Sequence, residues 1–214
     1  MNLAAVSLLG VAAETRPWYR AVDSQFLTTA LSTSHTRVVP SRFFDPLSAS
    51  PQFPSLYLSD DPMVAMFEAQ ILFGSPLKPG GVVPKPKGTW IVLTAHVNLQ
   101  RIVDLSDVAA QAHLDVSAQE LTGDWHGYRQ RSAATQVSAP VGTAPTQLLG
   151  EALHRDGRLL EGFLTVSARL SHHRNLIVFP QHLSTGSTVE YRWNNDRNKF
   201  VVDSGDPDGR SLGP

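Results

Sequence analysis

In "YLSDDPMVAMFEAQ" (57–70) a carboxylate, Glu68, falls between Phe67 and Ala69 in an apolar run, with Val64 and Ile71 close by. Apolar neighbours strip water from a charge, and that destabilises a fold unless a partner compensates. Two readings follow: Glu68 is an acid at the edge of a buried stripe, paired with a buried arginine, or it is an acid kept for chemistry. Other polar side chains stand in comparable settings: Arg20 after Trp18-Tyr19, Arg42 before Phe43-Phe44, Tyr57 in the strand feeding the helix, and Ser167 at the end of "GFLTV". Taken singly, each has a plain structural part, as a strand-edge charge, a core ring or a strand-end hydroxyl. Taken as chemistry, guanidinium forks pair bidentately with phosphate or carboxylate. A serine nucleophile is disfavoured, because no matching His–acid pair is evident.

No metal site is expected. The 8 histidines form no HExxH, and the closest pair, His172-His173, would point to opposite faces of a strand. With 0 cysteines, disulfides and thiolate metal sites are impossible. His126, in "DWHGYR", reads as a surface-helix residue.

The elements that position these groups follow from apolar periodicity and chain breakers. "PWYRAV" (17–22) and "SLYLS" (55–59) read as strands. Asp60 or Asp61 caps a helix with Pro62 at its first position, running to about Phe73. Its face at 64, 65, 68 and 72 puts Glu68 on an inward stripe. Residues 74–88, rich in Pro and Gly, form a surface loop. "TWIVLTAHVNL" (89–99) reads as a central strand buried on both faces, and "RIVDLSD" as a further short strand. Ser106 caps a helix over 107–113, Thr122 or Asp124 caps another over 122–132, and "SAPVGTAP" is a loop. "TQLLGEALHRDG" gives a helix that Gly157 ends. "GFLTVSA" (162–168) and "NLIVFP" (175–180) are strands, and "VEYRW" and "KFVVD" flank "NNDRN" as a hairpin. The mixture is α+β without regular βαβ alternation. No GxGxxG or GxxxxGK[ST] follows a strand.

At 214 residues and 42% hydrophobic, the chain suits one domain with a real core. Eighteen basic and 19 acidic residues leave a net charge of -1, so direct nucleic-acid binding is not expected. The excess of Arg over Lys is read as base composition. "MNLAAVSLLGVAAETRP" has no Lys or Arg before residue 16 and is too short to span a membrane. Residues 1–16 are therefore taken as an N-terminal arm or short helix, with no membrane association. Residues 204–214 are taken as a mobile tail.

In order and spacing the set resembles the RES domain family, named for Arg, Glu and Ser. Arg20 matches the Arg of a first strand. "SRFF" (41–44) matches a second Arg followed by an aromatic, although the family often shows Gly-Arg-Trp-Asn there. "LYLSDDPMVAMFEA" matches a tyrosine strand, turn and acid-bearing helix, with Tyr57 and Glu68 eleven apart. "PTQLLG" (145–150), "SAR" (167–169) and "NLIVF" (175–179) match later segments. The resemblance spans 18–180 of a catalytic domain placed at 17–203, and the hairpin at 188–203 has no counterpart in it.

The resemblance implies a bacterial toxin with an ADP-ribosyltransferase-like fold, a mixed, twisted β core flanked by short helices, with a cleft for NAD+. The implied activity cleaves the nicotinamide–ribose bond by hydrolysis or phosphorolysis, with inorganic phosphate as the co-substrate in the second case. Protein ADP-ribosylation from the same cleft is the alternative, and a non-catalytic interaction protein is the alternative from another class. The implied catalytic residues are Glu68, Ser167 and Arg20; Arg20, Arg42, Tyr57 and Arg169 would bind the dinucleotide. Glu68 would stabilise an oxocarbenium-like ribose, Arg20 and Arg42 the pyrophosphate, Arg169 free phosphate in phosphorolysis, and Tyr57 a ring or ribose hydroxyl. The apolar helix face would exclude water around Glu68. The implied partners are an Xre-like antitoxin or an immunity protein, with a homodimer among the assemblies to test. The implied location is the cytoplasm, with a secreted effector as the alternative.

Overall fold

The computed structural model describes residues 1–47, 52–75, 78–130, 142–193, 198–208 and 211–212. The expected short N-terminal helix is a 3-10 helix at Leu3–Leu8. Strands β1 (Val11–Glu14) and β2 (Pro17–Asp23) follow it, and β1 had no sequence signal. The start of the chain is part of the core: Ala5, Val6 and Leu9 are buried, and the Arg158 guanidinium donates to the carbonyls of Leu9 and Val6 at 2.7 Å each.

The remaining strands and α-helices, in chain order, are β3 (Leu56–Ser59), α1 (Pro62–Glu68), β4 (Leu72–Gly74), β5 (Val82–Pro84), β6 (Trp90–Asp104), α2 (Val108–His113), α3 (Ala118–Thr122), α4 (His126–Gln130), α5 (Pro145–His154), β7 (Gly162–Val166), β8 (Arg174–Val178), β9 (Thr188–Trp193), β10 (Asn198–Asp203) and β11 (Ser211–Leu212), with short 3-10 helices at Ser24–Thr29, Ser34–Arg37 and Pro180–His182. The strand order is β11-β10-β9-β6-β2-β3-β8-β7, with β1 also on β6. Pairing is antiparallel except where β7 returns to β6, parallel, at Ile102↔Gly162 through Asp104↔Leu164. Five strands thus close a circuit on β6. Its 15 residues reach about 50 Å at roughly 3.3 Å each, so one end serves β2 and the other β7.

The circuit has one weak seam. β2 and β3 pair at a single position, Tyr19↔Ser59. Two apolar clusters flank the sheet. One gathers Phe43, Phe44, Phe53, Phe163 and Phe179; the other gathers Trp18, Leu56, Leu58, Leu93, Tyr191 and Phe200.

The α+β architecture is the expected one, and local details correct the pattern-based reading. Helix α1 stops at Glu68, not Phe73. Gln70 takes a left-handed φ of 56°, and the amides of Gln70 and Ile71 turn back to the carbonyls of Phe67 and Met66. That closes a Schellman motif without glycine. Residues 72–74 and 82–84 then pair as a small separate sheet, where the end of the helix and the loop at 74–88 were expected. β6 is one strand, not two, and is not buried on both faces: Leu93, Ala95, Val97 and Leu99 are buried while Thr94, His96, Asn98 and Gln100 are exposed. Asp107, not Ser106, caps α2, because the Ser106 hydroxyl is engaged by Asp104. Within the segment expected at 122–132 the helix is α4, at His126–Gln130; α3, capped by Ser117 through a capping box, precedes it and was not expected. Arg155, not Gly157, is the C-cap of α5. In the expected tail, β11 pairs with β10. The first half of the "SAPVGTAP" loop, 138–141, and residues 194–197 of the "NNDRN" turn lie outside the described residues.

Candidate active site

A cleft of about 750 Å³ opens beside the β2–β3 seam, and Arg20, Arg42, Tyr57, Glu68 and Arg169 all line it. Ser167 stands behind this lining, bonded to Glu68. The six side chains read from the sequence are therefore brought together, from five separate stretches of chain, Ser167 and Arg169 sharing one.

Arg20 projects from β2 across the seam, where Nη1 donates to the Tyr57 carbonyl at 2.8 Å. The guanidinium does there what ladder hydrogen bonds do elsewhere. Burial lowers its pKa to about 10, so it stays charged at neutral pH, and its Nε has no partner among the described residues. The loop carrying Arg42 is a tight turn, with Ser41 and Phe44 exchanging backbone hydrogen bonds. Phe43 and Phe44 anchor it, edge-on to Phe163 at 5.0 Å and to Phe53 at 4.9 Å. The "PTQLLG" segment braces it. Gln147 Nε2 donates to the carbonyls of Ser41 and Phe44, and a Cβ on Gly150 would lie 2.0 Å from the Phe43 carbonyl oxygen. Tyr57 ties the same loop to β3 through a 2.6 Å bond between its hydroxyl and Ser41 Oγ; burial pushes its phenol up to about 12. Arg42 Nη1 reaches over to the carbonyls of Gly123 and Leu121. Burial holds the Arg42 guanidinium below its ordinary value, and Glu68 pulls it back up.

Glu68 is not on an inward stripe. The helix turns Val64, Ala65 and Phe67 to the core, and Glu68, its last residue, is exposed to the cleft. The stripe fails because Leu72 belongs to β4. Asp61 caps the helix start by accepting from the amides of Met63 and Val64. At the other end, a carboxylate meets the negative end of the helix dipole, so donors are needed. Ser167 Oγ donates to Glu68 Oε1 at 2.9 Å and Asn175 Nδ2 donates to the same oxygen at 2.8 Å. Ser59 Oγ orients the Asn175 amide by donating to its oxygen at 2.9 Å. Ser167 Oγ in turn accepts from the amides of Arg169 and Leu170. Its proton is committed to Glu68, which fits a positioning residue. Both donors fall on Oε1, so Oε2 carries no hydrogen bond among the described residues. Arg169 is exposed at the rim, its guanidinium without a hydrogen bond or ion pair among the described residues.

Several lining residues escaped the sequence reading. Asn175 was visible only as the first letter of "NLIVF", a polar group at the head of an apolar strand. Gln70 gave no signal, because its role follows from a backbone conformation. Asp60, outside the lining and offered by the sequence as a helix cap, instead carries the turn before α1: its carboxylate engages His173 Nδ1 and the Arg174 amide, both at 2.9 Å, locking α1 to the β7–β8 connection. His126, read as a surface residue, is exposed but lies on the cleft wall with Asp124 and Trp125. Among the described residues no His, Asp or Glu cluster suits a metal ion, and no helix is long and apolar enough to cross a membrane.

This geometry has relatives. A chain of the M. tuberculosis MbcT-MbcA toxin-antitoxin complex shares the fold with a TM-score of 0.61 at 18% identity, over 95% of this chain and 92% of that one. No curated protein matches the sequence. The RES domain profile matches residues 17–196. Because that match takes in β2 through β9 and every residue of the cleft named above, the chain belongs to the RES domain family.

Proposed function

We propose that the protein cleaves the nicotinamide–ribose bond of NAD+, by hydrolysis or phosphorolysis, as the toxin of a toxin–antitoxin pair. The observation that carries this reading is a carboxylate with one open oxygen in a cleft that three arginines, Arg20, Arg42 and Arg169, also line, with Asp124 as the second acid. Nicotinamide departs from NAD+ as a neutral molecule and needs no general acid. The ribose it leaves develops positive charge, which a fixed carboxylate stabilises more in the transition state than in the ground state. Ser167 and Asn175 hold Glu68 by Oε1 and leave Oε2 to face the ribose. Arg42 and the exposed Arg169 are the cations available to the diphosphate. Arg20, engaged with Tyr57, supports the cleft floor beneath them. Glu68 is open to water, so the dry surroundings that strengthen its field come from the bound dinucleotide filling the cleft.

The test is nicotinamide release from NAD+ by the purified protein, with and without phosphate, beside Glu68→Gln. Wild type should release nicotinamide, and the variant should be slower by about 10²–10³-fold, the usual loss when one group stabilising transition-state charge is removed. Equal rates for the two proteins, or no release under either condition, would overturn the reading. Dependence on phosphate separates phosphorolysis from hydrolysis.

The exposure of Glu68 also favours a second reading, since an open cleft admits a protein acceptor for ADP-ribose. Labelled NAD+ in a cell lysate tests it, and label on a protein band is the required result. For either chemistry the partner would be an antitoxin that covers the cleft, as the name of the MbcT-MbcA complex suggests by analogy. Relief of growth arrest by co-expression of the neighbouring gene is the corresponding measurement.

A further inference from the structure

Trp125 belongs to neither apolar cluster of the core. Its indole is half-buried and lines the main cleft and also a smaller hollow of about 220 Å³, which Glu120, Tyr128 and Thr146 complete. Trp125 therefore borders both spaces, as Asp124 does. Its setting is held from several sides. The His126 ring stacks on it at 3.8 Å with 28° between planes, and Asp124 accepts from the His126 amide at 3.0 Å. Arg42 pins the backbone just before it through the Gly123 carbonyl. A large ring kept out of the core and presented in a cleft wall suits stacking on a heterocyclic base.

We propose that Trp125 is the stacking platform for the adenine end of the dinucleotide, an inference that rests on the NAD+ reading above. The order of groups in the cleft selects that end. Arg42 bonds the segment leading to Trp125 on one side and interacts electrostatically with Glu68 on the other. Glu68 faces the nicotinamide ribose and Arg42 the diphosphate, so the next group outward, against Trp125, is adenosine. Trp125 thereby sets specificity for a dinucleotide over nicotinamide mononucleotide.

Calorimetric titration of the full chain in a Glu68→Gln background, which suppresses turnover, tests this with ADP-ribose and nicotinamide mononucleotide as probes. Trp125→Ala should weaken ADP-ribose by about 5–100-fold, the range of one lost base–aromatic stack, and leave the mononucleotide within about twofold. Trp125→Phe should keep most of the affinity. Trp125→Leu, which retains apolar bulk without an aromatic face, should lose it, and this pair carries the test if the Ala variant misfolds. Unchanged ADP-ribose binding in Trp125→Leu, or equal weakening of both probes, would overturn the inference. If neither probe binds before Trp125 is altered, the NAD+ reading itself fails, a result distinct from either.

Discussion

Two glutamates sit at opposite ends of β7 and are held in opposite ways. Glu161, just before the strand, is 0% exposed and saturated. Its Oε1 accepts from the Ser184 amide, the Ser184 hydroxyl and the Ser187 hydroxyl, and its Oε2 accepts from the amides of Gln100 and Arg101. Arg101 adds an ion pair at 3.5 Å. Burial pushes its pKa up, but these donors outweigh burial and hold it below the ordinary carboxylate value. Glu68, bonded to Ser167 just beyond the strand's other end, is exposed, and both its donors share one oxygen. A carboxylate with every lone pair occupied is scaffold, because a ligand would have to break bonds to reach it. One with an oxygen turned to a cleft can take up new charge without rearrangement.

The largest expected effect lies at the saturated end. Glu161→Ala would orphan buried amides, two hydroxyls and part of Arg101, and should destabilise the fold by about 3–5 kcal/mol. Glu68→Ala should stay within about 1 kcal/mol of wild type, since water replaces what is lost at an exposed site. Urea unfolding monitored by circular dichroism compares them. Similar losses for the two variants would break the contrast.

The sequence offered two readings of Glu68, an acid kept for chemistry and a buried acid paired with arginine, and the structure separates them. Glu68 stood out because its neighbours are apolar, yet Val64, Ala65 and Phe67 turn inward and Glu68 turns out. The buried acid partnered by an arginine, the plainer of the two readings of 68, is found at 161, where "LEGF" gave no periodic signal. Its partners arrive from β6 and from residues 184–187, both distant in sequence. Strands β2, β3 and β6 to β10 and the identities of Arg20, Arg42, Tyr57, Glu68, Ser167 and Arg169 were legible, because β-branched runs and motif order are local properties, whereas β1, β4, β5 and β11 were not. Asn175, Trp125 and the left-handed Gln70 were not, since their meaning comes from which loops meet. The β7–β6 parallel pairing that closes the sheet was equally hidden, because it joins residues about sixty apart.

The next effect in size sharpens the same contrast through pH. Beside the Glu161 end, His154 and His182 stack at 4.2 Å, with Phe53 stacked on His154 at 4.1 Å. Burial lowers the His154 pKa to about 4, with His182 and Arg155 adding to the shift; burial lowers His182 as well. A histidine depressed in the folded state lets the unfolded chain take up protons first. Stability is therefore complete above the unfolded value near 6.5 and falls as the pH drops from there toward 4. The loss should be on the order of 2–3 kcal/mol for His154, before carboxylates such as Glu161 begin to titrate. His154→Gln should flatten the curve between those limits. A wild-type stability that stays level from pH 6.5 to 4.5 would remove this distinction between the two ends.

The smallest effects concern how Glu68 is aimed. Ser167 and Asn175 donate to one oxygen, so each variant to alanine leaves the other donor in place, and water can enter the open side. Each should slow nicotinamide release by about 2–10-fold, equivalent to roughly 0.5–1.5 kcal/mol, with KM little changed. Asn175→Ala should also lower stability by about 1 kcal/mol, because it strands the buried Ser59 hydroxyl. The double variant should lose more than the product of the singles, since only then does Oε1 have no protein donor to fix the carboxylate. Ser167→Ala decides between two roles. A modest fall in kcat fits a hydroxyl that positions Glu68. Loss of activity as complete as that of Glu68→Gln would mean that the serine oxygen itself takes part in bond making, and the division of labour between the two ends of β7 would have to be redrawn.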